Sequence, residues 1–277
     1  MLVNGKQVLD AAKAGRYGVP APDYLDLDSA RVFVRTAEEM GKPVILSYPQ
    51  LLDTAFPLEE AAAVGKLLAE RVKTPVVLHL DHGEDFEFLR RSIDLGFTSV
   101  MMDASMDTFE ENVRKTKEVV AYAHSKGATV EAEIGHVGHG ENLTEIQENE
   151  SVYTTVEEAK RFAELTGVDS LAVSIGTVHA LYKDQATPQR NFQRLAEIAA
   201  AVPTPLVLHG GSGTGDDNLA RCCREGICKV NIFTDFLTGA MDRIHANSPK
   251  SWPAMKECAD AAMAEVLRHY YSVFGTK

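Results

Sequence analysis

The sequence predicts an α/β protein, a (β/α)8 TIM barrel with a C-terminal helical extension, and three observations lead to that prediction. Short apolar runs of strand length alternate with amphipathic helical patterns along almost the whole chain. This strand–helix unit recurs eight times, and 277 residues is close to the usual barrel size of about 250. Polar residues directly follow the apolar runs, where barrel enzymes place their active sites. We therefore expect one domain over residues 1–277.

The clearest strand lies in residues 75–83, which read PVVLHLDHG. Its apolar run is too short for a helix, and it leads into two imidazoles, a carboxylate and a glycine. A strand that is apolar on both faces is typical of a parallel sheet covered by helices. Ligands bind beyond the carboxyl ends of the strands in such sheets, so this stretch predicts one edge of an active site.

The other elements follow from the same two patterns. Ser, Thr or Asp begins several helices, and Gly or Pro often separates a helix from the next strand. The predicted strands are 17–22, 43–48, 75–80, 99–102, 128–133, 170–174, 205–209 and 227–232. The predicted helices are 29–40, 58–72, 86–95, 108–126, 155–166, 192–201, 216–225 and 234–246, followed by a helical arm within residues 249–277. The alternative is an open doubly wound sheet, which normally has fewer strands and a glycine-rich dinucleotide turn that this sequence lacks.

Composition and charge exclude several classes of function. A net charge of −12 argues against nucleic acid as the main partner but allows an anionic substrate in a locally positive site. The N-terminal residues show neither a signal peptide nor a membrane span. Four cysteines without a zinc-binding spacing suit free thiols in a reducing compartment, so we expect a cytoplasmic protein.

Polar residues at the ends of the predicted strands supply the candidate site. They would converge at one end of the barrel and form a single concave pocket. These residues are Asp23, Ser47, Asp81 with His82, Asp103, Glu133, Ser174 leading to His179, His209 with Gly210, and Asn231.

Three histidines among them, His82, His179 and His209, come from different strands and could meet above the barrel axis. Three histidines with an open fourth position are an arrangement used by catalytic zinc. Carboxylates at neighbouring strand ends strengthen this interpretation. His79 lies deeper on its strand than His82, so we expect it to pack beneath or support the metal site.

Two further segments are candidates for substrate contact. The glycine-rich run 209–215 follows strand seven, and Asn231 to Thr234 close strand eight at the start of a helix, so together they could bind phosphate. The polar stretch 134–154 is too long for an ordinary turn and is typical of a lid or binding loop. Within it, we interpret His136 and His139 as contacts to substrate or solvent rather than as a second metal site.

At this point the sequence resembles the class II, zinc-dependent ketose-bisphosphate aldolases, closest to the tagatose-bisphosphate branch. The similar segments span most of the chain from strand three onward, in family order. They are LHLDH at 78–82, MDAS at 102–105, VEAEIG at 130–135, TGVDSLAV at 166–173, IGTVH at 175–179, LVLHGGSG at 206–213 and KVN at 229–231.

The resemblance implies reversible aldol cleavage of a ketose 1-phosphate or 1,6-bisphosphate to dihydroxyacetone phosphate and an aldehyde. It also implies a homodimer or homotetramer and one catalytic Zn²⁺ bound by three histidines, whose charge would stabilise the donor carbanion. The implied metal ligands are His82, His179 and His209, and Asp103 and Glu133 match positions that can take the metal in an alternative site. The implied catalytic residues are Asp81, which would transfer a proton to or from the aldehyde oxygen, and Glu141, which would remove a proton from the donor carbon. The implied substrate contacts, some of them with a monovalent cation (Na⁺ or K⁺), are Gly210, Gly211, Ser212, Asn231, Ile232, Phe233, Thr234 and Ala180.

Departures from the family pattern cluster where the acceptor aldehyde would bind. Asp23 stands where the family usually has Asn, and a carboxylate there would repel a phosphate unless it is paired or protonated. Ser47 begins an altered segment, 47–51, that includes Pro49, and Ala180 replaces a glycine. We expect Asp23 and Ser47 to contact substrate and the acceptor to differ from glyceraldehyde 3-phosphate. A non-catalytic aldolase-like subunit and a zinc hydrolase on a barrel are the alternative functions.

Overall fold

The computed structural model describes residues 1–135, 154–175 and 191–277, together with the backbone of residues 138–139 and 178–179. All eight predicted strands are present, and the third of them, predicted as 75–80, extends to Gly83. The strands are β1 (Leu2–Val3), β2 (Val19–Pro22), β3 (Val44–Pro49), β4 (Val76–Gly83), β5 (Ser99–Met102), β6 (Thr129–Ile134), β7 (Gly138–His139), β8 (Ser170–Val173), β9 (Val178–His179), β10 (Leu206–Leu208) and β11 (Ile227–Ile232).

The predicted helices are also confirmed, with bounds that shift by up to three residues. Side chains at helix starts cap several of them: Asp26 with Ser29, and Thr155 with Glu158, form reciprocal capping boxes. The helices are α1 (Gly5–Gly15), α2 (Leu27–Met40), α3 (Leu58–Ala69), α4 (Phe86–Leu95), α5 (Phe109–Ser125), α6 (Val156–Thr166), α7 (Phe192–Ala201), α8 (Asp216–Glu225), α9 (Thr234–Asn247) and α10 (Trp252–Val273).

One parallel sheet contains the eight predicted strands in the order β3-β4-β5-β6-β8-β10-β11-β2. Asp23, directly after β2, forms an isolated parallel bridge with Ser47 on β3. The amide of Tyr24 also donates to the carbonyl of Ser47 at 2.9 Å. Because all of these strands run the same way, their carboxyl ends share one edge of the sheet, and the residues that follow them lie on one side of the molecule.

An element pair at the N-terminus, β1 and α1, was not predicted from the sequence, and neither were the short strands β7 and β9. β1 pairs with the start of β4, and α1 buries Val8 and Leu9 in a cluster with strand residues Val19, Ile45 and Val77. Asn4, which precedes the helix, makes no side-chain cap, so tertiary packing stabilises α1. This pair lies at the amino ends of the strands, on the side opposite the candidate site.

The C-terminal arm packs on the same side as α1. The hydroxyl of Tyr271 donates to the carbonyl of Pro43, just before β3, at 3.1 Å. Gly18, just before β2, donates to Phe274 O at 3.0 Å and accepts from Thr276 Oγ1 at 2.6 Å. The arm therefore covers amino ends of the strands. Among the helices of the described ranges, none has the length and apolar character that crossing a membrane requires.

Candidate active site

Five predicted site residues lie together at the carboxyl ends of four strands. Asp81 and His82 are near the end of β4, Asp103 follows β5, Glu133 is on β6, and His209 follows β10. Ligand atoms of Asp81, His82 and His209 lie within 4.8 Å of one another, and the same holds for His82, Asp103 and Glu133. The structure therefore brings these five side chains together.

The backbone at His82 is bent to present its imidazole. The pairing of β4 with β5 shifts register between Leu80 and Gly83, and His82 has a φ of 49°, in the left-handed region. A non-glycine residue in such a conformation costs about 1–3 kcal/mol, and such strain is concentrated at functional sites. Glycine follows because a Cβ at Gly83 would lie 2.8 Å from the carbonyl oxygen of Met101.

Asp103 orients His82. His82 Nδ1 lies 2.7 Å from Asp103 Oδ2, and Ser105 donates its amide and hydroxyl to Asp103 Oδ1 at 3.1 and 2.8 Å. Burial by itself lowers the pKa of His82, but Asp81, Asp103 and Glu133 outweigh it and raise that pKa to about 10. Because Asp103 accepts at Nδ1, His82 Nε2 is the nitrogen left to face the centre of the site.

Asp81 is a buried carboxylate with two distinct oxygens. Its Oδ1 accepts from Asn231 Nδ2 at 2.9 Å, whereas its Oδ2 lies 3.9 Å from His82 Nε2. Burial pushes the pKa of Asp81 up, but the positive charge of His82, the polar contact with His79 and the charge of Lys229 outweigh it and hold that pKa well below its ordinary value. Asp81 is thus ionised, with Oδ1 held by Asn231 and Oδ2 on the side of His82.

A fully buried ionic group lies beneath these residues. Lys229 Nζ contacts both carboxylate oxygens of Glu131, at 2.9 and 2.7 Å, and His79 Nε2 at 3.0 Å. Glu131 Oε1 in turn lies 2.9 Å from His209 Nε2. We refer to Lys229, Glu131 and His79 as the floor triad, because they connect the strands below His209 and Asp81.

A metal ion fits two of the three candidate ligand groups in the described residues. The group of His79, Asp81 and Glu131 does not suit a cation, because the ammonium of Lys229 already lies among those atoms. The two remaining groups share His82 and combine imidazole nitrogens with carboxylate oxygens. Zinc takes both kinds of ligand. The donor set of this site is therefore chemically suited to Zn²⁺.

The two predicted phosphate segments lie side by side. The amide of Gly211 donates to the carbonyl of Asn231 at 3.1 Å, and a Cβ at Gly211 would lie 2.7 Å from that oxygen, so only glycine fits. Ser212 Oγ accepts from the amides of Phe233 and Asp235, both at 3.3 Å, at the start of α9. The glycine-rich run and a helix N-terminus thus form one continuous surface next to His209.

Three side-chain oxygens near this surface are buried without a hydrogen-bond partner in the described part of the chain. They belong to Asp23, Ser47 and Asn231. Burial, and then the charge of Asp81, raise the pKa of Asp23 well above its ordinary value. Unpaired buried polar atoms are costly and rare, and here they lie at the ends of neighbouring strands, so they are suited to a bound ligand.

Comparison with known proteins agrees with this geometry. A family model described as fructose-bisphosphate aldolase class-II matches residues 3–277. This chain belongs to the class-II fructose-bisphosphate aldolase family. It is accordingly an aldolase, a carbon–carbon lyase, rather than a hydrolase or a non-catalytic subunit.

Solved structures show the same relationship. The YdjI aldolase from Escherichia coli K12 is 31% identical, with a TM-score of 0.90 over 100% of this chain and 98% of that one. A proposed fructose-1,6-biphosphate aldolase from Coccidioides immitis is 27% identical, with a TM-score of 0.88 over 98% and 96% of the two chains. A fructose-bisphosphate aldolase from Campylobacter jejuni, 22% identical, shares the fold with a TM-score of 0.81 over 99% and 95%.

Several residues that the family resemblance singled out lie outside the described residues. Glu141, Ala180 and His136 are among them, and the side chains of His139 and His179 are as well. The backbone of the last two is described: β7 and β9 pair in parallel, with His139 opposite His179. The third predicted histidine ligand and the predicted base therefore stay predictions.

Sequence reasoning assigned no role to Lys229 or Glu131 in this aldolase, although both lie in family-like segments. The available signal was a charged residue within an apolar strand, as in ICKVNI and TVEAEI. Charged residues are almost never fully buried unless they are paired, so each required a partner. The partner could not be named, because Lys229 and Glu131 lie 98 positions apart in the sequence.

Proposed function

We propose that this aldolase reversibly cleaves a ketose 1-phosphate or 1,6-bisphosphate to dihydroxyacetone phosphate and an aldehyde, with one catalytic Zn²⁺ per subunit. The convergence of Asp81, His82 and His209 within 4.8 Å carries the proposal. His82 and His209 would bind the ion together with His179. Asp103 and Glu133, which share His82 in the other candidate group, would serve an alternative metal position. When bound, zinc supplies positive charge that compensates negative charge developing on the donor substrate.

The chain's own residues would handle protons and phosphate. Asp81, ionised and buried, would accept the hydroxyl proton in cleavage and return it in condensation. Glu141 would exchange the proton on the donor carbon. The phosphate would bind amide groups along the surface formed by Gly210, Gly211, Ser212, Asn231, Ile232, Phe233 and Thr234, with Ala180 and a monovalent cation (Na⁺ or K⁺) completing that end.

The fold that we propose for this function is a closed barrel in a single domain of residues 1–277. The bridge between Asp23 and Ser47 and the hydrogen bond from Tyr24 to Ser47 support closure between β2 and β3. Four cysteines that form no disulfide bond, three of them buried, suit the reducing cytoplasm. A homodimer or homotetramer follows from the family resemblance.

Metal removal and restoration tests the proposed function. We expect the chelated protein to release no dihydroxyacetone phosphate from fructose or tagatose 1,6-bisphosphate or from a ketose 1-phosphate, and stoichiometric zinc to restore release from at least one of them. A coupled assay for dihydroxyacetone phosphate measures both states and ranks the sugars. Full activity after chelation, with no zinc in the protein by elemental analysis, would contradict the proposed zinc dependence.

Asp23 is the residue that we expect to select the acceptor. Two unit charges about 8 Å apart repel each other by about 2 kcal/mol at an effective dielectric of about 20. Asp23→Asn should therefore raise kcat/KM for a 1,6-bisphosphate by roughly 10- to 30-fold at a pH where Asp23 is ionised. Because the pKa of Asp23 is raised, the wild-type side chain is a neutral acid at lower pH and then resembles the amide of the variant. The gain in kcat/KM should therefore grow as the pH rises and Asp23 ionises.

A ketose 1-phosphate provides the matched control for this substitution. It lacks the second phosphate, so its kcat/KM should change little in the Asp23→Asn variant. Equal gains for both substrates, or a gain for the bisphosphate that does not depend on pH, would show that charge repulsion by Asp23 does not set the choice of acceptor.

A further inference from the structure

The floor triad holds charges that the proposed chemistry does not use. Lys229, Glu131 and His79 each expose about 1% of their surface. Replacement of a buried ion pair by apolar side chains is often neutral or stabilising, so stability alone does not account for this group. What distinguishes the triad from an ordinary buried pair is its contact with His209.

Hydrogen-bond directions within the triad follow from the chemistry of lysine. An ammonium group has only donors, so Lys229 donates to Glu131 and to His79 Nε2. His79 Nε2 must then accept, which leaves the proton of a neutral imidazole on Nδ1. That nitrogen lies 2.9 Å from Ser99 Oγ, which can accept it. The ammonium hydrogens of Lys229 and the Nδ1 proton of His79 therefore each have an acceptor.

The same reasoning fixes the tautomer of His209. Glu131, held as a carboxylate by Lys229, has only acceptors. His209 Nε2, at 2.9 Å from Glu131 Oε1, must therefore carry a proton. In the neutral ring the lone pair is then on Nδ1. A histidine ligand commonly has its second nitrogen fixed in this manner, and the contact determines which nitrogen is available to the metal.

We propose that Glu131, charged and oriented by Lys229, is a positioning residue that makes His209 an Nδ1 ligand of the catalytic metal. His82 is held in the opposite sense, because Asp103 contacts its Nδ1 and leaves Nε2 for the metal. The two rings lie 4.7 Å apart between centroids, with an angle of 61° between their planes. This inference rests on the proposed zinc site and adds which atoms bind the ion and what holds them.

Single and double substitutions of Glu131 and Lys229 test the inference, because they separate loss of fold stability from loss of zinc affinity. Lys229→Met alone leaves the buried carboxylate of Glu131 without its cation, and Glu131→Gln alone leaves a buried ammonium whose remaining carboxylate, Asp81, lies 3.9 Å away, so each should destabilise the fold. The double variant Glu131→Gln/Lys229→Met removes both charges and should keep the melting temperature within about 4 °C of the wild-type value. Its zinc affinity, measured by competition with a chelator, should nevertheless fall by about 10- to 100-fold.

Thr129→Val is the matched control. Thr129 lies on β6 two positions before Glu131 and accepts from the amide of Gly5 at 3.1 Å, away from the metal site. This variant should lower the melting temperature without changing zinc affinity. A double variant that is as stable as wild type and binds zinc equally tightly would overturn the proposal, whereas a wild-type protein that binds no zinc would overturn the proposed function itself.

A crystal structure of the wild-type protein with zinc gives an independent measurement, which is decisive even if the variants fail to fold. The expected result is His209 Nδ1 and His82 Nε2 at about 2.0–2.1 Å from the ion. Zinc bound to His209 Nε2, with the contact to Glu131 broken, would overturn the inference and leave the aldolase assignment intact.

Discussion

Replacing Asp81 with Asn is expected to slow aldol cleavage by about 10²- to 10⁴-fold, the usual contribution of a general acid or base. The amide keeps the shape of the carboxylate, and its oxygen can still accept from Asn231 Nδ2. It cannot take up the hydroxyl proton. Because the pKa of Asp81 lies well below its ordinary value, the wild-type group is ionised throughout the neutral range, so the loss should not be recovered by raising the pH.

Isotope exchange separates this role from damage to the metal site. Asp81 would act on the aldehyde oxygen, whereas exchange of the donor carbon proton of dihydroxyacetone phosphate needs no aldehyde. We expect Asp81→Asn to retain that exchange and to bind zinc within about tenfold of wild type. Loss of exchange along with cleavage would contradict the role proposed for Asp81. Asp107→Asn, at an exposed carboxylate 2.7 Å from Lys115 Nζ, is the control and should leave both rates unchanged.

The sequence was sufficient to predict the strands and many of the polar residues at their carboxyl ends. Runs such as VILSYP and ICKVNI are buried at every position, so the apolar pattern and its polar ending locate both the strand and the site residue. Asp81, His82, Asp103, Glu133 and His209 were predicted as strand-end residues in this way. The parallel direction of all the strands then determines that these side chains meet.

Contacts between distant positions could not be obtained by the same reasoning. His79 and Lys229 are 150 positions apart, and each belongs to a strand whose neighbours depend on the order of the sheet. The pattern shows that a buried lysine needs a partner without showing which carboxylate supplies it. The strained φ of His82 is likewise a product of the register shift between β4 and β5, which no local propensity encodes.

Replacing His82 with Ala is expected to remove both zinc binding and cleavage. Zinc sites with about four ligands contribute about 10–16 kcal/mol, so one ligand accounts for roughly 3 kcal/mol, or about 100-fold or more in affinity. His82 also has a distinctive protonation state. In the metal-free protein its pKa is raised to about 10, so at neutral pH zinc must displace a proton from this imidazole.

Proton release therefore identifies His82 as a ligand more directly than activity does. Below pH 10 the wild-type affinity should fall by about tenfold for each unit that the pH decreases, because proton and metal compete for Nε2. Calorimetric titrations at pH 8 in two buffers with different ionisation enthalpies count the protons, and about one per zinc is expected from His82. His124→Ala, which removes a surface histidine 2.8 Å from Asp169, should leave both affinity and proton count unchanged. Tight zinc binding to the wild-type protein without release of a proton would contradict the proposed displacement of a proton from His82.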